Sequence, residues 1–122
     1  MEVPKAKILV IDDEQLIGEL LMRYLNKKGY EVVPFTKGSE GIKAAQESSF
    51  NLVMVDIRMP GLSGFEVIKE LQKSLPHLPI IAMSGSLVNE EVTEILNLGI
   101  RAFLNKPFDF QILEKEVKAV LV

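Results

Sequence analysis

No cysteine occurs anywhere in the chain. That excludes a disulfide framework, a thiol nucleophile and a zinc knuckle, and it fits a reducing cytoplasm. Histidine occurs once: His77, between Pro76 and Pro79, reads as a solvated loop residue rather than a phosphate carrier or a metal ligand. Charge is present but never massed. The 17 acidic and 14 basic residues mix along the chain to a net −3, and no run of one sign argues for a nucleic-acid surface. Long apolar runs are missing too. Nothing approaches the roughly 20 residues of a membrane-spanning helix, and Met1 to Lys5 lacks the apolar core of about 7 to 15 residues that a signal peptide carries. A soluble protein without a membrane partner is expected, with no internal repeat, low-complexity segment or linker.

What remains is 122 residues that are 48% hydrophobic and 25% charged, which suits one domain over residues 1–122 with a substantial core. Ala6 to Ile11 is a continuous apolar run, as in a strand buried on both faces, and it ends in Asp12-Asp13. From Glu14 the period turns helical, with Ile17, Leu20, Leu21, Tyr24 and Leu25 as the apolar stripe and Lys27-Lys28-Gly29 as the stop. Tyr30 to Phe35 reads as a second strand, which Pro34 places near a sheet edge or strand end. Ser39 to Glu47 is a short helix with Ile42 and Ala45 inward. Asn51 to Val55 is the third strand. Ser63 can cap a helix that runs through Leu75 and buries Phe65, Ile68 and Leu71. Ile80 to Met83 is the fourth strand, followed by a helix from Val88 to Leu98 with Val88, Val92 and Ile95 as its stripe and Gly99 as its stop. Arg101 to Leu104 is the fifth strand. Asp109 caps a last helix bearing Phe110, Leu113, Val117 and Val120. Strand and helix alternate five times, which predicts an α/β fold: a doubly wound, five-stranded parallel sheet with five helices, flavodoxin-like.

The third strand delivers a carboxylate, Asp56, to its C-terminal end, and Met59-Pro60-Gly61 turns the chain away. In an open parallel sheet this is where ligands bind. Asp12, Asp13, Asp56, Ser84 and Lys106 would all lie at that edge. Three neighbouring carboxylates repel by about 4 kcal/mol per pair at about 4 Å and an effective dielectric near 20, so a counter-cation is expected. A hard divalent ion, Mg2+ above all, suits carboxylates that leave positions for water and phosphate oxygens. With Lys106 as a fixed positive charge and Ser84 as a hydroxyl donor, the edge forms a pocket for a dianion. Asp56, placed centrally, is the candidate nucleophile that would accept a phosphoryl group as an acyl phosphate.

Asp12-Asp13 after the first strand, Asp56 followed by Met59-Pro60-Gly61 and Gly64, Ser84-Gly85 after the fourth strand and Lys106-Pro107-Phe108 after the fifth resemble the receiver domain of two-component response regulators, from Lys7 to about Leu121. The resemblance implies that Asp56 takes phosphate from a histidine kinase or phosphotransfer protein, while Asp12, Asp13, Asp56 and the carbonyl of Arg58 hold Mg2+. It leaves the Arg58 side chain free to vary. Ser84 would hydrogen-bond the phosphoryl group, Lys106 would pair with it through a cis Lys106-Pro107 bond, and Phe103 would be the switch aromatic that turns inward. Arg58 and Ser86 occupy positions that influence the lifetime of the acyl phosphate. Output would pass through the fourth helix, fifth strand and fifth helix, where Glu90, Glu91 and Glu94 are expected on the exposed face near Arg101.

Taken singly, these features have plainer readings. Asp12-Asp13-Glu14 suits a helix start, Lys106-Pro107 and Ser84-Gly85 suit turns, Phe103 suits a packed aromatic and the methionines suit gap filling. Their convergence at one edge favours the site. A phosphatase of the haloacid dehalogenase kind would carry a second Asp two residues after its nucleophile, where this chain has Arg58. A receiver-like module working without phosphate would have lost one of the acidic or lysine positions. The expected protein is therefore not an enzyme beyond its own phosphorylation and dephosphorylation. It would act through a downstream protein target without binding nucleic acid itself, as a monomer or a phosphorylation-dependent dimer.

Overall fold

Five apolar runs, each four or five residues long, become five parallel strands of one sheet in a computed structural model of the chain, which describes residues 3–85 and 89–122. They are β1 (Lys7–Ile11), β2 (Glu31–Phe35), β3 (Leu52–Asp56), β4 (Ile80–Ser84) and β5 (Ala102–Asn105), and they lie in the order β2-β1-β3-β4-β5. Between and after them run α1 (Gln15–Lys27), α2 (Gly38–Glu47), α3 (Gly64–Ser74), α4 (Asn89–Asn97) and α5 (Phe110–Val120). The expected doubly wound, flavodoxin-like fold is thus the observed one. Among the described residues, no helix is long and apolar enough to cross a membrane.

Two layers of core follow from the period-two alternation of the strands. On one face Ile8, Val10, Met54 and Met83 meet Leu21 and Leu25 of α1 and Leu113 and Val117 of α5. On the other, Leu9, Ile11, Val53, Val55 and Ala82 meet Ala45 of α2, Val67, Ile68 and Leu71 of α3, and Ile95 of α4. The central strands β3 and β4 are buried at every position. This explains why they read as unbroken apolar runs. Pro34 lies in β2, an edge strand, where the missing N–H leaves no ladder bond unmade.

One inward assignment fails, and two hold only in part. Leu20 is 40% exposed, because α1 faces the sheet through Gly18, Leu21 and Leu25. A Cβ on Gly18 would lie 2.8 Å from the Pro34 side chain, so the glycine lets α1 approach β2 closely and turns Leu20 to the flank. Phe65 is only half-buried; Val67 takes the buried position beside Ile68 and Leu71. In α2 the buried residues are Gly38, Gly41 and Ala45, while Ile42 is half-covered. Strand and helix ends differ from expectation by one residue or so: Ser84 belongs to β4, and α4 is described from Asn89. Val88, expected in the stripe of α4, and Ser86 lie outside the described residues.

Candidate functional site

The strand order reverses between β1 and β3, and a doubly wound sheet opens a crevice at the carboxyl ends of the strands flanking such a point. Asp12 follows β1 and Asp56 ends β3. Asp56 pairs in register with Met83, so Ser84 stands one residue beyond its strand partner, and the Lys106 N–H donates to the Ser84 carbonyl at 3.0 Å. Asp12, Asp56 and Ser84 are the buried polar residues among those described. The sequence-predicted residues therefore do converge, and Asp13, exposed, completes the group: one carboxylate oxygen from each of Asp12, Asp13 and Asp56 lies within 4.8 Å of the others.

Local structure fixes each carboxylate. Asp12 Oδ1 accepts the Glu14 N–H at 2.9 Å, and its Oδ2 accepts from Lys106 Nζ at 2.6 Å. Asp56 Oδ1 accepts the Arg58 N–H at 3.2 Å, and its Oδ2 lies 3.3 Å from Lys106 Nζ. Behind Asp56, Gly64 donates its N–H to the Ile57 carbonyl at 3.1 Å, and a Cβ there would overlap the main chain of Asp56 and Ile57. Only glycine lets α3 begin this close to the acceptor strand. The Lys106-Pro107 peptide bond is cis, as the resemblance implies.

Electrostatics at the site are unbalanced. Among the described residues, Lys106 Nζ is the one ammonium facing Asp12 and Asp56, and Glu14 reaches it at 3.5 Å as a third carboxylate. Burial, then the neighbouring Asp12 carboxylate, push Asp56 up to about 6, although Lys106 and the Arg58 N–H oppose the rise. Burial also pulls the Lys106 ammonium down, but hydrogen bonding and attraction to Asp12, with Asp56 adding to them, leave it above the ordinary lysine value. Lys106 is therefore a permanent cation and Asp56 a carboxylate held at a cost. A divalent cation suits the cluster: clustered carboxylate oxygens are hard donors, and the single lysine leaves negative charge uncompensated.

Two contacts were not legible in the sequence. Glu14, expected only to start a helix, touches Lys106. Arg58, whose side chain the resemblance leaves free, forms an ion pair with Glu91 of α4, so Glu91 is not the freely solvated residue that periodicity suggests. The consecutive Asp12-Asp13-Glu14 run is a partial signal for the first; the second has none. Phe103 is half-buried against the α2–α4 side of the core. His77 is exposed, as expected, beside a cleft of about 770 Å³ lined by residues 45–51 and 74–79. That cleft lies at the opposite, N-terminal edge of the sheet, remote from Asp56, and phosphoryl-sized chemistry needs no cavity of that size.

Residues 8–118 match the family model of the response regulator receiver domain. The chain belongs to this family. It is 35% identical over 118 residues to the uncharacterized transcriptional regulatory protein YkoG of Bacillus subtilis, covering 96% of this chain and 51% of that protein. Among solved structures, the receiver is similar to the chemotaxis protein CheY4 of Vibrio cholerae, with 31% identity, a TM-score of 0.87, and 95% and 98% of the two chains covered. The response regulator protein TrrA of Thermotoga maritima, solved in complex with Mg(2+)-BeF, is 34% identical with a TM-score of 0.84, covering 94% of this chain and 98% of that one. The chain spans about half the length of the curated relatives it matches.

Proposed function

We propose that this receiver takes a phosphoryl group onto Asp56 from the phosphohistidine of a histidine kinase or phosphotransfer protein. The observation that carries the reading is the Asp56 carboxylate itself, buried at the end of β3 on the carboxyl edge of the sheet, with Lys106 Nζ 3.3 Å from Oδ2. An Asp56 oxygen forms the new bond to phosphorus as the phosphorus–nitrogen bond of the donor breaks. The imidazole leaves with that electron pair and takes up a proton, and Asp56 becomes an acyl phosphate. Deprotonated Asp56 is the competent form, which its elevated pKa leaves available near neutral pH.

Lys106 faces the incoming phosphoryl oxygens with a fixed positive charge, and the Ser84 hydroxyl donates to them. Asp12, Asp13, Asp56 and the Arg58 carbonyl would hold Mg2+, which when bound supplies charge neutralisation for the phosphoryl group. The receiver catalyses its own phosphorylation and dephosphorylation and no other turnover. Ser84 and Phe103 would relay the added charge to the surface of α4, β5 and α5, where a downstream protein or output domain responds. In this reading residues 1–122 form a single cytoplasmic receiver domain, a monomer or phosphorylation-dependent dimer, with no nucleic-acid contact of its own. The transcriptional regulators among its relatives support an attached or separate output domain as the partner.

Mass spectrometry after incubation with a small-molecule phosphodonor and Mg2+ tests the assignment. One phosphoryl group per chain is expected on the native protein and none on Asp56→Asn. Undiminished labelling of that variant would overturn it.

A further inference from the structure

Among the described residues, apolar burial anchors helix α4 at few positions. Of its described side chains, Ile95 alone is fully buried, with Val92 half-covered. Polar ties hold its two ends. At the C-terminal end, Gln72 of α3 donates its side-chain amide to the Leu98 carbonyl. At the other end, Arg58 reaches across from the loop after β3 to pair with Glu91, the guanidinium half exposed and the carboxylate largely covered. The main-chain N–H of that same Arg58 is the group that contacts Asp56 Oδ1. One residue thus touches both the acceptor carboxylate and the first turn of α4.

We propose that the Arg58–Glu91 ion pair is a releasable latch, with Arg58 as a positioning residue that holds the N-terminal part of α4 against the acceptor loop until Asp56 is phosphorylated. The release step rests on the reading of Asp56 as phosphoacceptor. The acyl phosphate carries about −1.5 to −2 charges where the carboxylate carried one, and it brings three acceptor oxygens beside Arg58. A guanidinium binds such a group through paired charge-assisted hydrogen bonds, so it gives Arg58 a second, stronger anion than Glu91. As the arginine turns toward the phosphoryl group, its hold on Glu91 weakens and the first turns of α4 loosen, while Ile95 and the Gln72–Leu98 tie keep the far end in place.

Amide hydrogen exchange on the full chain reads the latch directly. The amides of Thr93, Glu94 and Ile95 are protected only while α4 is wound. In the unphosphorylated, metal-free protein, Arg58→Gln and Glu91→Gln should each speed their exchange about threefold, as loss of a partly covered ion pair implies, and the charge swap Arg58→Glu with Glu91→Arg should bring it back toward the native rate. Unchanged single variants, or a swap exchanging as fast as they do, would overturn the latch. Release is read next. Phosphorylation should speed exchange at these amides in the native protein and add little in Arg58→Gln; an equal increment in both would overturn release. A chain that takes no phosphate removes the phosphoacceptor reading and the release with it, while the first comparison still decides whether the pair holds α4.

Discussion

Helices α3 and α4 pack on the same face of the sheet, yet they are held by different means. α3 buries Gly64, Val67, Ile68 and Leu71, starts from a Ser63 cap, and presses its first residue onto the main chain of Asp56. α4 buries Ile95 alone among its described side chains and relies on Arg58 and Gln72 at its ends. Apolar burial is worth about 25 cal/mol per Å² and does not depend on ionic state, whereas a surface ion pair contributes about 0.2–1 kcal/mol and answers to any new charge nearby. The difference separates a pedestal from a responder. The helix that must fix the acceptor strand is bolted by packing, and the helix expected to report on it is tied by contacts that phosphate can outbid.

Removing the pedestal should have the largest effect. The β-carbon of Gly64→Ala would meet the Asp56 carbonyl oxygen and the Ile57 Cα, backbone atoms of buried residues at and just after the end of β3. We expect a loss of about 3 kcal/mol, read as a lower denaturant midpoint. A variant that unfolds at the native midpoint would show that α3 does not rest on Asp56 as described.

Ile95→Ala sharpens the contrast from the other side. Removing a fully buried isoleucine costs about 2–4 kcal/mol at the site of contact. If α4 is a separately opening unit, most of that loss appears as faster hydrogen exchange in α4, while amides of α3 keep their protection. Equal acceleration in both helices would mean that they open together, and the distinction between them would fail.

A third test uses pH. Burial raises Asp56 to about 6, above the usual carboxylate value near 3.9 of an unfolded chain. For a group whose folded pKa is raised, the stabilising contribution is complete below the unfolded pKa and lost as pH rises through the folded one. Metal-free Asp56→Asn should therefore gain stability relative to the native protein as pH climbs from about 4 to about 7, by about 2 kcal/mol. Added Mg2+ should narrow the gap. A difference that stays constant across that range would return Asp56 to an ordinary, unstrained carboxylate and weaken the case that α3 and β3 enclose it.

Much of this was legible beforehand because burial on both faces writes itself as apolar runs: β1, β3 and β4 are continuous stretches, and Pro34 marked the edge position of β2. Asp12, Asp56, Ser84 and Lys106 could be placed together because a parallel sheet brings all C-terminal strand ends to one side. Contacts that depend on close approach or on side-chain direction were hidden. Gly41 brings α2 against Ile11 of β1, and Gly38 brings it against Val67 of α3 and Leu62 just before that helix, by having no side chain, so the usual apolar stripe is thin there. Leu20 sits on the right period but on the wrong flank, since the fit of Gly18 against Pro34 sets the rotation of α1. The Arg58–Glu91 pair joins residues 33 positions apart through a loop whose path no local pattern encodes.

The smallest effect concerns how α3 begins. Ser63 Oγ accepts the Glu66 N–H at 3.4 Å, near the limit of a hydrogen bond, while Asp109 at the start of α5 accepts from Gln111 and Ile112 at 2.9 and 3.2 Å. A charged acceptor of two shorter bonds, set at the positive end of the helix, should contribute more than a neutral hydroxyl that accepts one long bond from the main chain. Asp109→Ala is therefore expected to cost about 1 kcal/mol and Ser63→Ala about 0.5 kcal/mol in thermal or denaturant unfolding. If α3 owes its placement to Gly64 and its buried face, losing its cap should leave the acceptor chemistry untouched. A Ser63→Ala variant that loses more stability than Asp109→Ala would instead make the cap, and not the packing, the feature that fixes α3 beneath Asp56.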